Sequence, residues 1–157
     1  HMLLRPHPED PNPRGVCPYH ESCLEGLAAG PAIGARVQGD ARDLPDDHPT
    51  FVIEAHYLAQ MCVNLIMTLS PERIILGGGV MQRAGLMEKV RSETLRLLNG
   101  YIQSPAILEH IDEYIVTPDL FPVESASRIS GWFIRIQKSQ LTSQIASAGS
   151  FIYAMIV

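Results

Sequence analysis

Cysteine is scarce, with three residues in 157, two of them close together at Cys17 and Cys23. That is too few for a disulfide framework and points to a reducing compartment, so a cytoplasmic setting is expected. Charge is sparse too. Asp, Glu, Lys and Arg make up 18% of the chain, below the rough quarter of ordinary soluble domains. With 46% hydrophobic residues the chain can bury one real core, and a disordered composition is excluded. Basic runs are missing. The net charge of −5, without a Lys/Arg cluster or a helix-turn-helix pattern, argues against a nucleic-acid partner. No signal-peptide pattern is read at the start. The longest apolar stretch, near position 60, is broken by Glu54, His56, Gln60 and Asn64, so no membrane span is expected.

What is present is a concentration of donor side chains. In CPYHESC, residues 17–23, Cys17, His20 and Cys23 fall at even three-residue steps. Thiolate and imidazole donors on a short loop, completed by a distant fourth ligand, are how a tetrahedral zinc is held. Both upstream histidines, His1 and His7, are candidates for that fourth position. Four protein ligands leave no place for water, so the metal would be structural rather than catalytic. The alternative is two buried cysteines flanking a surface histidine. Gly15 and Pro18 favour the metal, because a tight loop must turn its donors inward. Residues 1–22 lack periodicity, and Pro6, Pro8, Pro11 and Pro13 remove backbone donors. A long loop in need of an anchor is expected there.

Periodicity supplies the rest. Leu24, Leu27, Ala28, Ile33 and Val37 approximate a helical stripe over 23–37, which Pro31 should kink or split. Gly26 and Gly30 would let another backbone, or a ligand, come close. Residues 38–49 are a polar connector. Asp46, Asp47 and His48 read there as a solvated cluster, with Asp47 or Thr50 capping the next helix. Residues 50–69 give the strongest helix, since Phe51, Ala55, Leu58, Cys62, Leu65, Ile66 and Leu69 recur at steps of three and four. Its other side is also apolar, so deep burial is expected, with Cys62 in the core. Residues 73–76 read as a short buried strand, closed by Gly77, Gly78 and Gly79, with a helix opening at Val80. Glycines let backbone amides approach a nucleotide, and helix N-termini favour anions. A tight strand-to-helix turn needs glycines equally. A second amphipathic helix over 84–98, ended by Asn99-Gly100, and a strand over 114–116 complete an alternating α/β pattern.

Four blocks in succession, HMLLRPHPED, CPYHESCLEGLAAGPAIGAR, LPDDHPTF and PERIILGGGVMQ, resemble the ROK family of bacterial sugar kinases and sugar-responsive repressors. The likeness is to the fructokinase-like subgroup, where the middle zinc ligand is His rather than Cys, and it covers residues 1–120. It implies an actin-like ATPase (ribonuclease H-like) lobe, the C-terminal half of a sugar kinase, with a zinc-bound loop at 1–23. It implies His1, Cys17, His20 and Cys23 as ligands of a structural Zn²⁺. His1 is favoured over His7 because the subgroup carries a longer loop here. Glu25 and His1 are implied at the sugar, where a carboxylate accepts two directed hydroxyl bonds. The other role for Glu25 is to stabilise the first turn of its helix. Gly77, Gly78 and Gly79 are implied to border the adenosine of ATP. The implied partners are fructose or a related hexose, Mg-ATP for the complete enzyme, and a second copy in a homodimer.

In the family the phosphate loop and the catalytic aspartate belong to the N-terminal lobe, for which these residues hold no counterpart. No catalytic residue is assigned, and the chain alone is expected to be inactive. A sugar-sensing regulatory module of ROK repressor type and a zinc-stabilised dimerisation domain are the alternative readings. Residues 121–157 carry no family motif and read as a divergent tail of unknown role. Its apolar end, FIYAMIV, is too short to span a bilayer.

Overall fold

The computed structural model describes residues 1–118 and the backbone of two strands, 132–137 and 151–155. A loop over residues 1–22 leads into α1 (Leu24–Ala28), α2 (Gly30–Val37) and the long α3 (Thr50–Leu69). Then come β1 (Arg73–Gly78), α4 (Leu86–Leu98), two single turns α5 (Pro105–Leu108) and α6 (Ile111–Tyr114), and β2 (Ile115–Val116). Strands β3 (Trp132–Gln137) and β4 (Phe151–Met155) extend the sheet, whose order is β2-β1-β3-β4. β1 and β2 are parallel, with Ile74 opposite Ile115, whereas β1–β3 and β3–β4 are antiparallel. The α/β architecture is the expected one. The rest of the 121–157 tail lies outside the described residues.

The core lies where α3 packs on α4 and β1. Phe51, Tyr57, Leu58, Met61, Ile74, Leu76 and Leu86 are all but inaccessible to solvent. Burial of each such side chain contributes about 1.5–3 kcal/mol. The N-terminal half of α3 is covered around most of its circumference, while Met67 in the last turns is half exposed. By length and composition α3 would pass for a membrane span, yet half of its apolar window is buried inside the molecule. Cys62 is fully buried among apolar neighbours, and burial pushes its thiol up to about 12, so it packs as an inert core residue.

Three local expectations are corrected. The helix over 23–37 is split, but at Ala29 (φ −88°, ψ 160°), not at Pro31. Pro31 falls in the first turn of α2, where its missing N–H would have had no intrahelical acceptor anyway. The helix expected to open at Val80 is a single 3₁₀ turn, Val80–Gln82, and α4 starts only at Leu86 after Gly85 at φ 73°. β1 correspondingly runs on through Gly77 and Gly78, and Gly78 adopts φ 104°, which side chains rarely tolerate. Tyr114 ends α6 instead of opening the last strand, and its buried hydroxyl donates to the Pro71 carbonyl at 2.5 Å.

Candidate metal centre and sugar-side site

The N-terminal loop folds back so that its first residue meets its last. Leu3 pairs with Cys23 in an antiparallel bridge. The Leu24 amide donates to Met2 O at 2.8 Å, and the Leu4 amide to Ser22 O at 2.9 Å. His1 is thereby laid beside Cys23. The second half of the loop docks on α1 through the Val16 amide, which donates to Gly26 O at 2.9 Å. This approach requires two glycines. A Cβ on Gly15, at φ 76°, would stand 2.5 Å from Gly26 O, and one on Gly26 would stand 2.9 Å from Cys17 Cβ. The close approach expected at Gly26 is therefore taken up by the chain's own loop, whereas a Cβ on Gly30 would meet nothing within 4 Å.

The result is a convergence of His1, Cys17, His20 and Cys23, whose donor atoms all lie within 4.8 Å of one another. Cys17 Sγ is 3.8 Å from His1 Nδ1 and 3.9 Å from His20 Nδ1, and Cys23 Sγ is 3.6 Å from His1 Nδ1. The backbone amide of Tyr19 holds the Cys17 thiol below its ordinary pKa, while burial raises that of Cys23. Glu25, in the first turn of α1, brings Oε2 to 3.2 Å from His1 Nδ1, with its side chain 18% exposed. That oxygen is buried and lacks a properly angled hydrogen bond.

Other sequence candidates are placed elsewhere. His7 accepts a bond from the Glu9 amide at 3.1 Å and packs edge-on to His56 at 4.9 Å, outside the donor cluster. His56 in turn pairs with Glu93 at 2.6 Å, and a hydrogen bond from Arg96, with help from His56, holds Glu93 down to about 2. Asp46 pairs with Arg83 at 3.3 Å. His48 Nδ1, rather than Asp47 or the Thr50 side chain, accepts from the Thr50 amide at the start of α3. Gly77 and Gly78 are buried within β1, opposite Phe133 and Trp132 of β3, and exposed Gly79 follows the strand.

The sequence pattern of the ROK family matches residues 1–113. The chain belongs to the ROK family. It is 44% identical over 120 residues to a protein named fructokinase from Pediococcus pentosaceus, covering 76% of this chain and 40% of that one. It is 41% identical over 120 residues to a putative fructokinase of Bacillus subtilis (strain 168), covering 76% and 40%. A fructokinase of Zymomonas mobilis subsp. mobilis is 38% identical over 116 residues, covering 73% and 37%. The chain spans about 40% of the length of the first of these relatives.

Sequence reasoning missed a second set of residues in this ROK chain. Asp10, Arg36 and Glu54 are buried together, their side chains at most 2% exposed. Arg36 Nε lies 3.2 Å from Asp10 Oδ2, and both of its terminal nitrogens lie 3.2 Å from Glu54 Oε2. The only signal in the sequence was a charged residue, Glu54, on an otherwise apolar helix. Burial raises its carboxyl to about 8, against the pull of Arg36. Its ordinary value is 4.5, so the folded state holds a proton that the unfolded chain releases. The stability from that proton is complete below about pH 4.5 and is lost as the pH rises through about 8. Unfolding free energy should therefore fall from about pH 5 to pH 8, by up to about 1.4 kcal/mol per unit. Glu54→Gln should flatten that slope in denaturant titrations, and an unchanged slope would contradict the assignment.

Proposed function

We propose that this chain forms the metal- and sugar-side part of a fructokinase, a kinase that transfers the γ-phosphoryl group of ATP to fructose. The observation that carries the reading is the convergence of His1, Cys17, His20 and Cys23 beside Glu25. The donor set fits zinc. Bond lengths of about 2.3 Å to sulfur and 2.0–2.1 Å to nitrogen, at a tetrahedral angle, put neighbouring S and N atoms roughly 3.6 Å apart. The three S···N separations here run from 3.6 to 3.9 Å. A zinc held by these four residues would supply structural closure and no chemistry at the phosphate.

Glu25 supplies the sugar contact in this reading. Its Oε2, buried and without a hydrogen bond, can accept a hydroxyl, and the same oxygen lies 3.2 Å from His1 Nδ1 at the edge of the donor cluster. Gly77, Gly78 and Gly79 leave the end of β1 free of side chains, which suits the adenosine of Mg-ATP. An aspartate base and a phosphate-binding loop, which phosphoryl transfer needs, are assigned to no residue here. Turnover then depends on a complementary lobe of the actin-like fold. A cytoplasmic homodimer is part of the same proposal.

A coupled ADP-release assay with fructose, Mg-ATP and zinc-loaded chain tests it, alongside fructose binding by calorimetry. The expected result is no sugar-dependent turnover but fructose binding that Glu25→Gln weakens at least tenfold. Turnover by the 157 residues alone would overturn the division of the site. Binding indifferent to Glu25→Gln would remove the sugar role.

A further inference from the structure

The buried charges reach beyond their own neighbourhood. The guanidinium of Arg36, on α2, is approached from three directions. From the N-terminal loop comes Asp10, with Oδ2 at 3.2 Å from Nε. From the last part of α1 comes the Leu27 carbonyl, which accepts from Nη2. From α3 comes Glu54, with Oε2 at 3.2 Å. Tyr57 locks the arrangement. Its hydroxyl donates to Asp10 Oδ2 at 2.7 Å and accepts from the His7 amide at 3.0 Å, and its ring lies 5.4 Å from the guanidinium carbon.

Two of the three tethered segments, the loop and α1, carry parts of the metal and sugar site, and Arg36 touches none of those parts directly. The loop that Asp10 belongs to carries His1, Cys17 and His20. The helix that ends near Leu27 follows Cys23 and carries Glu25. A planar guanidinium fork fixes its acceptors in direction as well as distance. Burying an ion pair and a second carboxyl is a poor route to stability alone, because apolar residues of equal volume do as well or better. One oxygen of Glu54 is even left buried without a partner. What the charges add is a defined geometry between loop and helix.

We propose that Arg36, acting through Asp10 and Tyr57, is a positioning residue that holds the N-terminal loop against α1 and so closes the His1–Cys17–His20–Cys23 cluster beside Glu25. The proposal rests on the metal reading given above. Its test uses the full chain, with Tyr57→Phe and Arg36→Lys as the clamp variants. Ile66→Ala serves as comparator, since it removes a buried side chain from the same α3 without touching the clamp. Zinc dissociation is read by chelator competition, and ligand geometry by the visible bands of the cobalt(II)-loaded protein.

The clamp variants should weaken zinc by about tenfold, as changes in supporting hydrogen bonds commonly do, and should shift the cobalt bands. Ile66→Ala, despite an equal or greater loss in melting temperature, should leave both unchanged. Equal effects from Ile66→Ala, or wild-type behaviour in both clamp variants, would overturn the proposal. Hydrogen exchange of the Leu4 and Leu24 amides provides a metal-free readout, because the first ties the two ends of the loop together through Ser22 and the second ties α1 to Met2. If the wild-type chain took up neither zinc nor cobalt, the metal reading would fail on its own. Faster exchange at those amides in Tyr57→Phe, and not in Ile66→Ala, would then still uphold the clamp, and equal exchange would overturn it.

Discussion

Stripping the metal should lower the melting temperature of this chain by about 10 °C or more, since about 1 kcal/mol moves a chain of this size by roughly 2–4 °C. Structural zinc contributes roughly 10–16 kcal/mol of apparent binding energy in small peptides. Only part of that is at stake here, because the loop is also tied down through Asp10, the His7 amide and the Arg5–Gln60 pair. Cys23→Ser should reproduce the chelated state without a chelator, as Cys23 is the buried member of the cluster. Bound zinc measured by atomic emission should fall from a single equivalent to none. His1→Ala should also lose the metal, whereas His7→Ala should keep it, because His7 packs against His56 instead. Loss of zinc with His7→Ala but not with His1→Ala would overturn the ligand set.

Arg36→Met should be the most damaging single change away from the cysteines. It leaves Asp10 and Glu54 buried without their cation, a situation that costs about 3–5 kcal/mol. The deficit should depend on pH in a defined sense. Without Arg36, the one group nearby that lowers the Glu54 pKa is gone, and Glu54 takes up a proton more readily in the fold. Wild-type Glu54 already holds its proton below about pH 8, so the deficit should be level from about pH 5 to pH 7 and grow above pH 8, where the wild type releases that proton and the variant keeps it. Paired denaturant titrations at about pH 6 and about pH 9 measure this. A deficit of the same size at both would mean that lost packing, not uncompensated charge, dominates. Adding Glu54→Gln to Arg36→Met should restore part of the loss at the higher pH.

The legible parts of the molecule were those governed by neighbours along the chain. Residues 50–69 read as a buried helix because apolar side chains recur at helical steps, and α3 has those bounds. Cys17, His20 and Cys23 announced a donor cluster because three ligands fit on one short loop. The helix break was foreseen but misplaced. Pro31 is a local signal, yet the turn falls at Ala29, where the first turn of α2 can absorb the proline. The turns α5 and α6 gave no signal, since four residues are too few for a period to emerge.

Sequence alone thus determined the α/β alternation, the apolar core helix and the chemical identity of the donors in the loop. All three depend on residue type and spacing over a few turns. The spacing of the loop left His1 and His7 open, and only the resemblance favoured His1. Tertiary structure lays His1 beside Cys23, because a bridge between Leu3 and Cys23 brings the two ends of the loop together. It alone also decided that Asp10, Arg36, Glu54 and Tyr57 share one buried site. Asp10 and Tyr57 are 47 residues apart in sequence, and no local pattern links them. A buried charge is stable only where its partner arrives from elsewhere in the fold, and which partner arrives is set by packing.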